Sequence, residues 1–553
     1  MVTISPLLIT ALLHLVDAGP GYLQLDTIRK PDSNAPSMYD QLAKRADTQE
    51  WTLTNQDNYA YLVNITVGDP PQEFQARLDT GSSDLWVIDK DNPLCAKTEE
   101  ELAMAVQSIY YVPCDESGTF DPNASTTLNR TDEDFFAKYT RGDIRAAKGK
   151  FAYDDVSVAG TTIKQMKLGI AEVANRTMVV GIGLPSNEFR ATYYDEEPYL
   201  NLPARLAKEG IINTNAYSLW LNHLNEDRGS ILFGGVDHAK YEGTLHTLPM
   251  VDAPYHDPNT TMAVMMSGLT ISPKENYSDP IQLFSGNIAV ILDSGFSKSY
   301  LPYDVVQEIA DALDYDYEQC NFDGYLEFEF NGFSIRAPFS DLLTPRRSIY
   351  GGVFIYDGAP RCSLGISETI HDDGPYILGD TFLRNAYVVY DLDRREISMA
   401  QAKFGVSESD IEAIDSNGVP SATRAQGYGQ TVPATSLSIK TVGENVEFTT
   451  MSLESSFEYT EHTEQFEDDL ETAFLTNSSL DFFTFTSLMD TRTYSFVPLW
   501  PSNFTGPSRT GTSGATSGEN SGAGPSCQNK GALRATIALV SVLSALTTGL
   551  LVY

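Results

Sequence analysis

From Trp51 to about Lys403 the apolar residues come in short runs that alternate with polar ones, as in Tyr59-Ala60-Tyr61-Leu62-Val63-Asn64-Ile65-Thr66-Val67. Gly, Pro and Asp punctuate the runs. Alternation with period two turns one face of a strand to a core and the other to solvent, so this stretch predicts many short strands and a mainly β protein. Helical periodicity is scarce; Glu99 to Val106 and Val305 to Leu313 each predict a short helix. So much β pattern exceeds one sandwich, which predicts two lobes, over 46–235 and 236–404. After Phe404 the composition turns to Ser, Thr, Glu and Asp with few clear alternations. Residues 405–520 are therefore expected to form an acidic tail, a solvated spacer in the main, with local folding of its Phe-rich part, Phe448 to Phe485, left open.

The two ends carry different patterns. Ile4 to Val16 is apolar apart from Ser5, Thr10 and His14 and stops at Asp17-Ala18-Gly19, where Val16 and Ala18 suit signal cleavage, so 1–18 is expected to be a signal peptide. Leu42-Ala43-Lys44-Arg45 sets a dibasic pair in a chain poor in basic residues. A processing protease cutting after Arg45 would release a propeptide, 19–45; an ordinary surface pair is the other reading. Ala535 to Tyr553 is apolar or small throughout and follows a Gly/Ser/Ala-rich run from Gly511 to Gly524. That order fits a GPI-attachment signal, 521–553, better than a single-pass helix, with Asn520 or Gly522 as the attachment residue. A secreted chain is also expected to carry glycans, and Asn-x-Ser/Thr acceptors occur at Asn64, Asn123, Asn129, Asn175, Asn259, Asn276, Asn477 and Asn503.

Charge narrows the partners. In 553 residues, 37 basic against 75 acidic side chains give 37 − 75 = −38, an excess that repels phosphate backbones and anionic head groups and disfavours nucleic acid. Self-repulsion of that size relaxes as carboxylates protonate, so acid conditions are expected to suit the protein. The seven histidines form no metal spacing, and neither a metal nor another cofactor is expected. Five cysteines leave one over. Cys527 lies beyond the expected attachment site and would leave with the tail, so the mature chain would hold four.

The chemistry lies in a motif that occurs twice. Ala76-Arg77-Leu78-Asp79-Thr80-Gly81-Ser82-Ser83 is echoed by Val290-Ile291-Leu292-Asp293-Ser294-Gly295-Phe296-Ser297, each an apolar approach followed by Asp-[Thr/Ser]-Gly-x-Ser. One copy per lobe suggests a duplicated fold that brings two carboxyls together. Two such groups within about 3 Å share a proton, one serving as base and the other as acid. A pair of that kind activates water against a peptide carbonyl and protonates the leaving amine. Gly after the Asp-Thr or Asp-Ser pair allows the tight turn, and the hydroxyls Ser82 and Ser294 are expected to hold the carboxylates in plane.

With these motifs the chain resembles the pepsin-like aspartic proteases, and among them the fungal GPI-anchored, yapsin-like group. The resemblance covers roughly Tyr59 to Ala402 and includes Leu85-Trp86-Val87, Val180-Gly181-Ile182-Gly183-Leu184, Ala216-Tyr217-Ser218-Leu219-Trp220-Leu221, Ile231-Leu232-Phe233-Gly234-Gly235-Val236-Asp237 and Ile377-Leu378-Gly379-Asp380-Thr381-Phe382-Leu383-Arg384. It implies an all-β, bilobal fold with a cleft between the lobes, a flap hairpin from the first lobe, and endopeptidase activity on peptides or proteins, with Asp79 and Asp293 catalytic. It also implies a monomer tethered at the cell surface, and disulfides Cys95–Cys114 and Cys320–Cys362, although four cysteines allow three pairings and spacing alone does not choose.

Two departures from the family pattern stand out. Phe296 occupies a position where the family usually has a Ser or Thr that donates to the catalytic carboxylate, which implies a dyad that is easier to protonate and a raised pH optimum. In the flap, the family Tyr that meets the Trp matched by Trp86 is either Tyr139, with a longer tip, or is replaced by Arg141. The competing function is a catalytically weak or silent surface protein that uses the same fold to bind peptides or wall polymers.

Overall fold

The computed structural model describes residues 49–452 apart from 57–59, 96–111, 113, 140–145, 227, 255, 274–279, 314–323, 346–354, 357–358, 370–374, 435 and 441–447. The signal peptide, the propeptide with Lys44-Arg45, the helix expected over 99–106, Arg141, Cys320, Asn276, Asn477, Asn503, Asn520, Gly522 and Cys527 lie outside the described residues.

The alternating runs become strands of an all-β fold. Among the described residues the largest sheet has fourteen strands and the next nine. The helix expected from Val305 to Leu313 is Tyr303–Ala312, with Val305, Val306, Ile309 and Ala310 buried on one face.

The same local arrangement is built around each aspartate. In the first half the strand Gln72–Asp79 runs parallel to Val179–Gly181, with Asp79 opposite Gly181, and Leu85–Ile88 pairs antiparallel to that short strand. In the second half Ile281–Leu292 runs parallel to Tyr376–Leu378, with Leu292 opposite Leu378, and Ser299–Leu301 pairs antiparallel to it. The runs Val180 to Leu184 and Ile377 to Arg384 therefore begin in the short strands that flank each aspartate loop. Burial of Leu78, Val180, Leu292 and Leu378 in one continuous apolar core fastens both loops in place.

The halves share one platform. Ala216–Trp220 pairs with Ala386–Asp391, and Glu396–Ala402 with Tyr241–Pro249, all inside the fourteen-stranded sheet that also holds the first aspartate strand. A hairpin of Asn129–Lys138 and Ala146–Val158 rises from the first half, its base packed on Trp86 through Phe135 and Phe151, whose rings meet edge to face at 5.2 Å. This is the expected flap hairpin.

The packed body runs past Phe404, which moves the start of the tail. Ile411–Ala413 pairs with Gly235–Asp237, Ala422–Arg424 lies parallel to Leu245–Thr247, and Ile414 and Ala425 are buried. Asp237 fixes this segment by accepting from Asp410 N–H at 2.8 Å and Ser409 Oγ at 2.6 Å. Its apolar anchors are single residues in a polar background, so composition reads as spacer where the backbone pairs.

Candidate active site

Each aspartate stands at the end of a strand whose apolar residues are sunk in the core, so the turn that follows projects its carboxyl into the seam between the halves. Asp79 and Asp293 are only 3% and 6% exposed. Asp79 Oδ1 accepts Gly81 N–H at 2.8 Å, and Asp293 Oδ1 accepts Gly295 N–H at 2.7 Å. The glycines are required by approach: a methyl group on Gly81 would lie 2.1 Å from Asp293 Oδ2, and one on Gly295 would lie 2.5 Å from Asp79 Oδ1. Each carboxyl thus lies against the other's turn.

The supporting hydroxyls divide the work in a way the sequence did not indicate. Ser82 Oγ donates to Asp79 Oδ2 at 2.7 Å, as expected. Ser294 does not join it in holding a carboxylate. Its Oγ donates to Leu78 O at 3.0 Å and accepts Thr80 N–H at 3.2 Å, while Thr80 Oγ1 donates to Leu292 O at 2.9 Å and accepts Ser294 N–H at 2.9 Å. These four buried bonds pin one motif to the other. The expectation for Ser294 is corrected accordingly, and Thr80, missed in the sequence, is its partner. The signal was available, since Thr80 and Ser294 occupy the same place in the two repeats.

Phe296 leaves Asp293 without the donor that Ser82 gives Asp79. Its ring packs edge to face on Tyr300 at 5.6 Å instead. Burial first, and then the Asp79 charge, raise Asp293 well above the usual carboxylate range, with Gly295 N–H acting the other way. Two carboxyls this close repel each other when both are charged, which is the push that the Asp79 charge adds to burial at Asp293.

Behind the pair lies Asp380, 0% exposed, neither oxygen of which finds a hydrogen-bond partner among the described residues. Burial pushes it up to about 8, against the pull of the Arg384 and Arg77 cations and with a smaller push from Asp79. A second buried acid pair follows the first motif. Asp84 accepts Phe189 N–H at 2.9 Å and the Tyr199 hydroxyl at 2.8 Å, and Glu188 Oε2 accepts Tyr199 N–H at 2.7 Å. Burial pushes Asp84 up to about 6 and, joined by the Asp84 charge, Glu188 up to about 10. Asp380 lies in the run Ile377 to Arg384 quoted for the resemblance, whereas the Asp84 and Glu188 pair was not singled out in the sequence.

At the flap, Trp86 Nε1–H donates to the Tyr139 hydroxyl, and the Arg176 guanidinium lies 3.5 Å from the Tyr139 ring centre. Cys95 and Cys114 form a disulfide, and Cys362 is disulfide-bonded. Among the glycan acceptors Asn64, Asn123, Asn129 and Asn259 are exposed. Asn175 is 5% exposed and its Oδ1 accepts Ala146 N–H at 2.8 Å. No group of His, Cys, Asp and Glu among the described residues is arranged to hold a metal.

The family model described as Eukaryotic aspartyl protease matches residues 60–402. The Aspergillus oryzae protein named "Probable aspartic-type endopeptidase opsB" is 34% identical over 422 residues, covering 73% of this chain and 81% of its own. Two Saccharomyces cerevisiae proteins are similar: aspartic proteinase 3, 35% identical over 475 residues with 73% and 80% covered, and aspartic proteinase yapsin-3, 36% identical over 418 residues with 71% and 75% covered.

Proposed function

This chain belongs to the eukaryotic aspartyl protease family and is an aspartic-type endopeptidase, and from that premise we propose that Asp79 and Asp293 are its catalytic pair. The observation that carries the reading is the mutual nesting of the two carboxyls, each held by the N–H of its own Gly and lying against the Gly of the other motif.

A water held between the carboxyls attacks the scissile carbonyl carbon. Asp79, whose two donors Gly81 N–H and Ser82 Oγ suit the charged form, takes the water proton. Asp293 gives its proton to the carbonyl oxygen, forming a tetrahedral diol. Asp79 then passes its proton to the amide nitrogen, the C–N bond breaks, and the diol proton returns to Asp293. Thr80 and Ser294 keep the halves in register throughout, and Tyr139, oriented by Trp86, covers the bound peptide from the flap.

Asp79→Asn and Asp293→Asn are expected to abolish cleavage in an unbiased peptide-library digest at several pH values, and a statine-type transition-state analogue is expected to inhibit the wild type. Full activity in either variant would refute the assignment. The same digest reports the residue preference around the cut.

The protease is further inferred to be secreted as a monomeric zymogen, cut after Ala18 and Arg45, and held at the cell surface through Asn520 or Gly522; the support is the residue pattern at the two ends. Replacing Lys44 and Arg45 with alanines is expected to leave 19–45 attached, and a normal mature N-terminus in that variant would sink the zymogen reading. Release from intact cells by a phosphatidylinositol-specific phospholipase tests the anchor.

A further inference from the structure

The two aspartates are not equally secured. Asp79 has two donors, Gly81 N–H and Ser82 Oγ, whereas the position that would supply the second donor to Asp293 is Phe296, with its ring against Tyr300. Yet the Asp293 turn has an anchor of another kind. Arg77 Nη1–H donates to Gly295 O at 2.8 Å, reaching across from the strand that ends in Asp79. The matching carbonyl in the first motif, Gly81 O, is held at 2.9 Å by the neutral side-chain amide of Asn187, from its own half. The second turn is therefore held by a cation from the opposite half, through a bond of the stronger, charge-assisted kind.

Strand geometry explains how Arg77 gets there. It lies two residues before Asp79, so both side chains leave the same face of the strand. Gly295 then has both backbone groups engaged, its N–H on Asp293 Oδ1 and its carbonyl on the guanidinium. A turn fixed at both groups holds that N–H on the carboxylate better than one fixed at a single group. The guanidinium also adds positive charge beside a site where Asp79, Asp293 and Asp380 meet. Among the described residues the other groups facing the pair are Arg384, which acts on Asp380, and the hydroxyls of Tyr139, Tyr217 and Tyr390.

We propose that Arg77 is a positioning residue for Asp293: by gripping the Gly295 carbonyl from the other half it keeps the Gly295 N–H on the carboxyl and replaces the anchoring that Phe296 withholds. The proposal rests on the Asp79–Asp293 assignment. It predicts a specific coupling, because Arg77 and a hydroxyl at position 296 would do the same work by different routes.

The experiment compares the full-length, processed wild type with Arg77→Met, Arg77→Lys, Phe296→Ser and the Arg77→Met, Phe296→Ser double variant. Each is read as kcat and KM across pH, with folded sites counted by statine-type inhibitor titration. Weaker hydrogen bonding and less positive charge at the ionised pair raise its lower apparent pKa, so in Arg77→Met the acid limb is expected to move up by about 0.5–1 pH unit. Its kcat is expected to fall about tenfold with KM nearly unchanged. Arg77→Lys keeps a donor and the charge and is expected to hold the limb near the wild type. Phe296→Ser is expected to lower the limb alone and to recover at least half of the Arg77→Met shift in the double variant.

A uniform loss of activity in Arg77→Met with the acid limb unmoved would overturn the proposal, as would strictly additive effects in the double variant. If Arg77→Met does not fold, Phe296→Ser decides by itself: an unmoved limb means that Asp293 lacks no anchoring. Calorimetric binding of the statine-type peptide across pH reads the same protonation in a chain that cleaves nothing, which separates failure of this inference from failure of the assignment beneath it.

Discussion

Replacing Glu188 by Gln tests whether the fold keeps a buried carboxyl protonated far above its ordinary range. Glu188 is 1% exposed, its Oε2 accepts Tyr199 N–H at 2.7 Å, and its Oε1 has no hydrogen-bond partner among the described residues. Burial, then the Asp84 charge, push it up to about 10, while Tyr199 N–H and Lys167 pull the other way. In an unfolded chain a glutamate titrates near ~4.3. A folded value above the unfolded one gives stability that is fully present below the unfolded value and is lost as pH rises toward the folded one. The folded chain therefore keeps a proton that the unfolded chain has released, and each pH unit across that window costs about 1.4 kcal/mol.

From pH 5 to pH 7 Glu188 thus withdraws about 3 kcal/mol, a large share of an ordinary stability of about 5–15 kcal/mol. Asp84, pushed up to about 6 by burial, withdraws roughly a further 1.4 kcal/mol over the same interval. Gln keeps the shape and the acceptor for Tyr199 N–H but cannot ionise. Relative to wild type, Glu188→Gln is expected to gain about 3 kcal/mol between pH 5 and pH 7 while differing little at pH 5. Urea midpoints at the two pH values, converted with a common m, measure it. Parallel loss of stability in the two proteins over this interval would refute the reasoning, since Glu188 would then be ionised in the folded state.

Thr80→Val orphans the buried Ser294 N–H, while Leu292 O keeps the Tyr390 hydroxyl at 3.4 Å, so a fall of about 1–3 kcal/mol in urea-measured stability is expected together with a lower kcat. Tyr139→Phe deprives Trp86 Nε1–H of its acceptor, a loss of about 1–1.5 kcal/mol that should appear as a roughly tenfold lower kcat/KM. Arg141→Ala is expected to leave kcat/KM within about twofold of wild type, and the reverse order of these two effects would assign the flap role to Arg141. The Cys95–Cys114 bridge closes a loop of sequence separation 19, so the double Ser variant is expected to lose about 3 kcal/mol, read from urea midpoints at pH 5.

Much of this protein is legible in one dimension. Strand alternation from Trp51 to Lys403 follows from the two-sided geometry of a strand, and the repeated Asp-[Thr/Ser]-Gly-x-Ser follows from the demands of two tight turns. Both depend on residues close together in the chain, so spacing records them. The helix at Tyr303–Ala312 was legible for the same reason.

Contacts between residues far apart in the chain were not legible in this way. The grip of Arg77 on Gly295 and the exchange of bonds between Thr80 and Ser294 depend on how the halves meet at the seam, and the closeness of Asp84 to Glu188 depends on how the first half folds on itself. Local spacing is silent about such contacts. The same holds for Ile411–Ala413 and Ala422–Arg424, whose few apolar anchors gain strand partners only on the finished body. The sequence alone determined that two carboxyls would meet. How one motif is pinned to the other, and how deeply each carboxyl is buried, was set by contacts between residues some two hundred positions apart that exist only once the halves have closed.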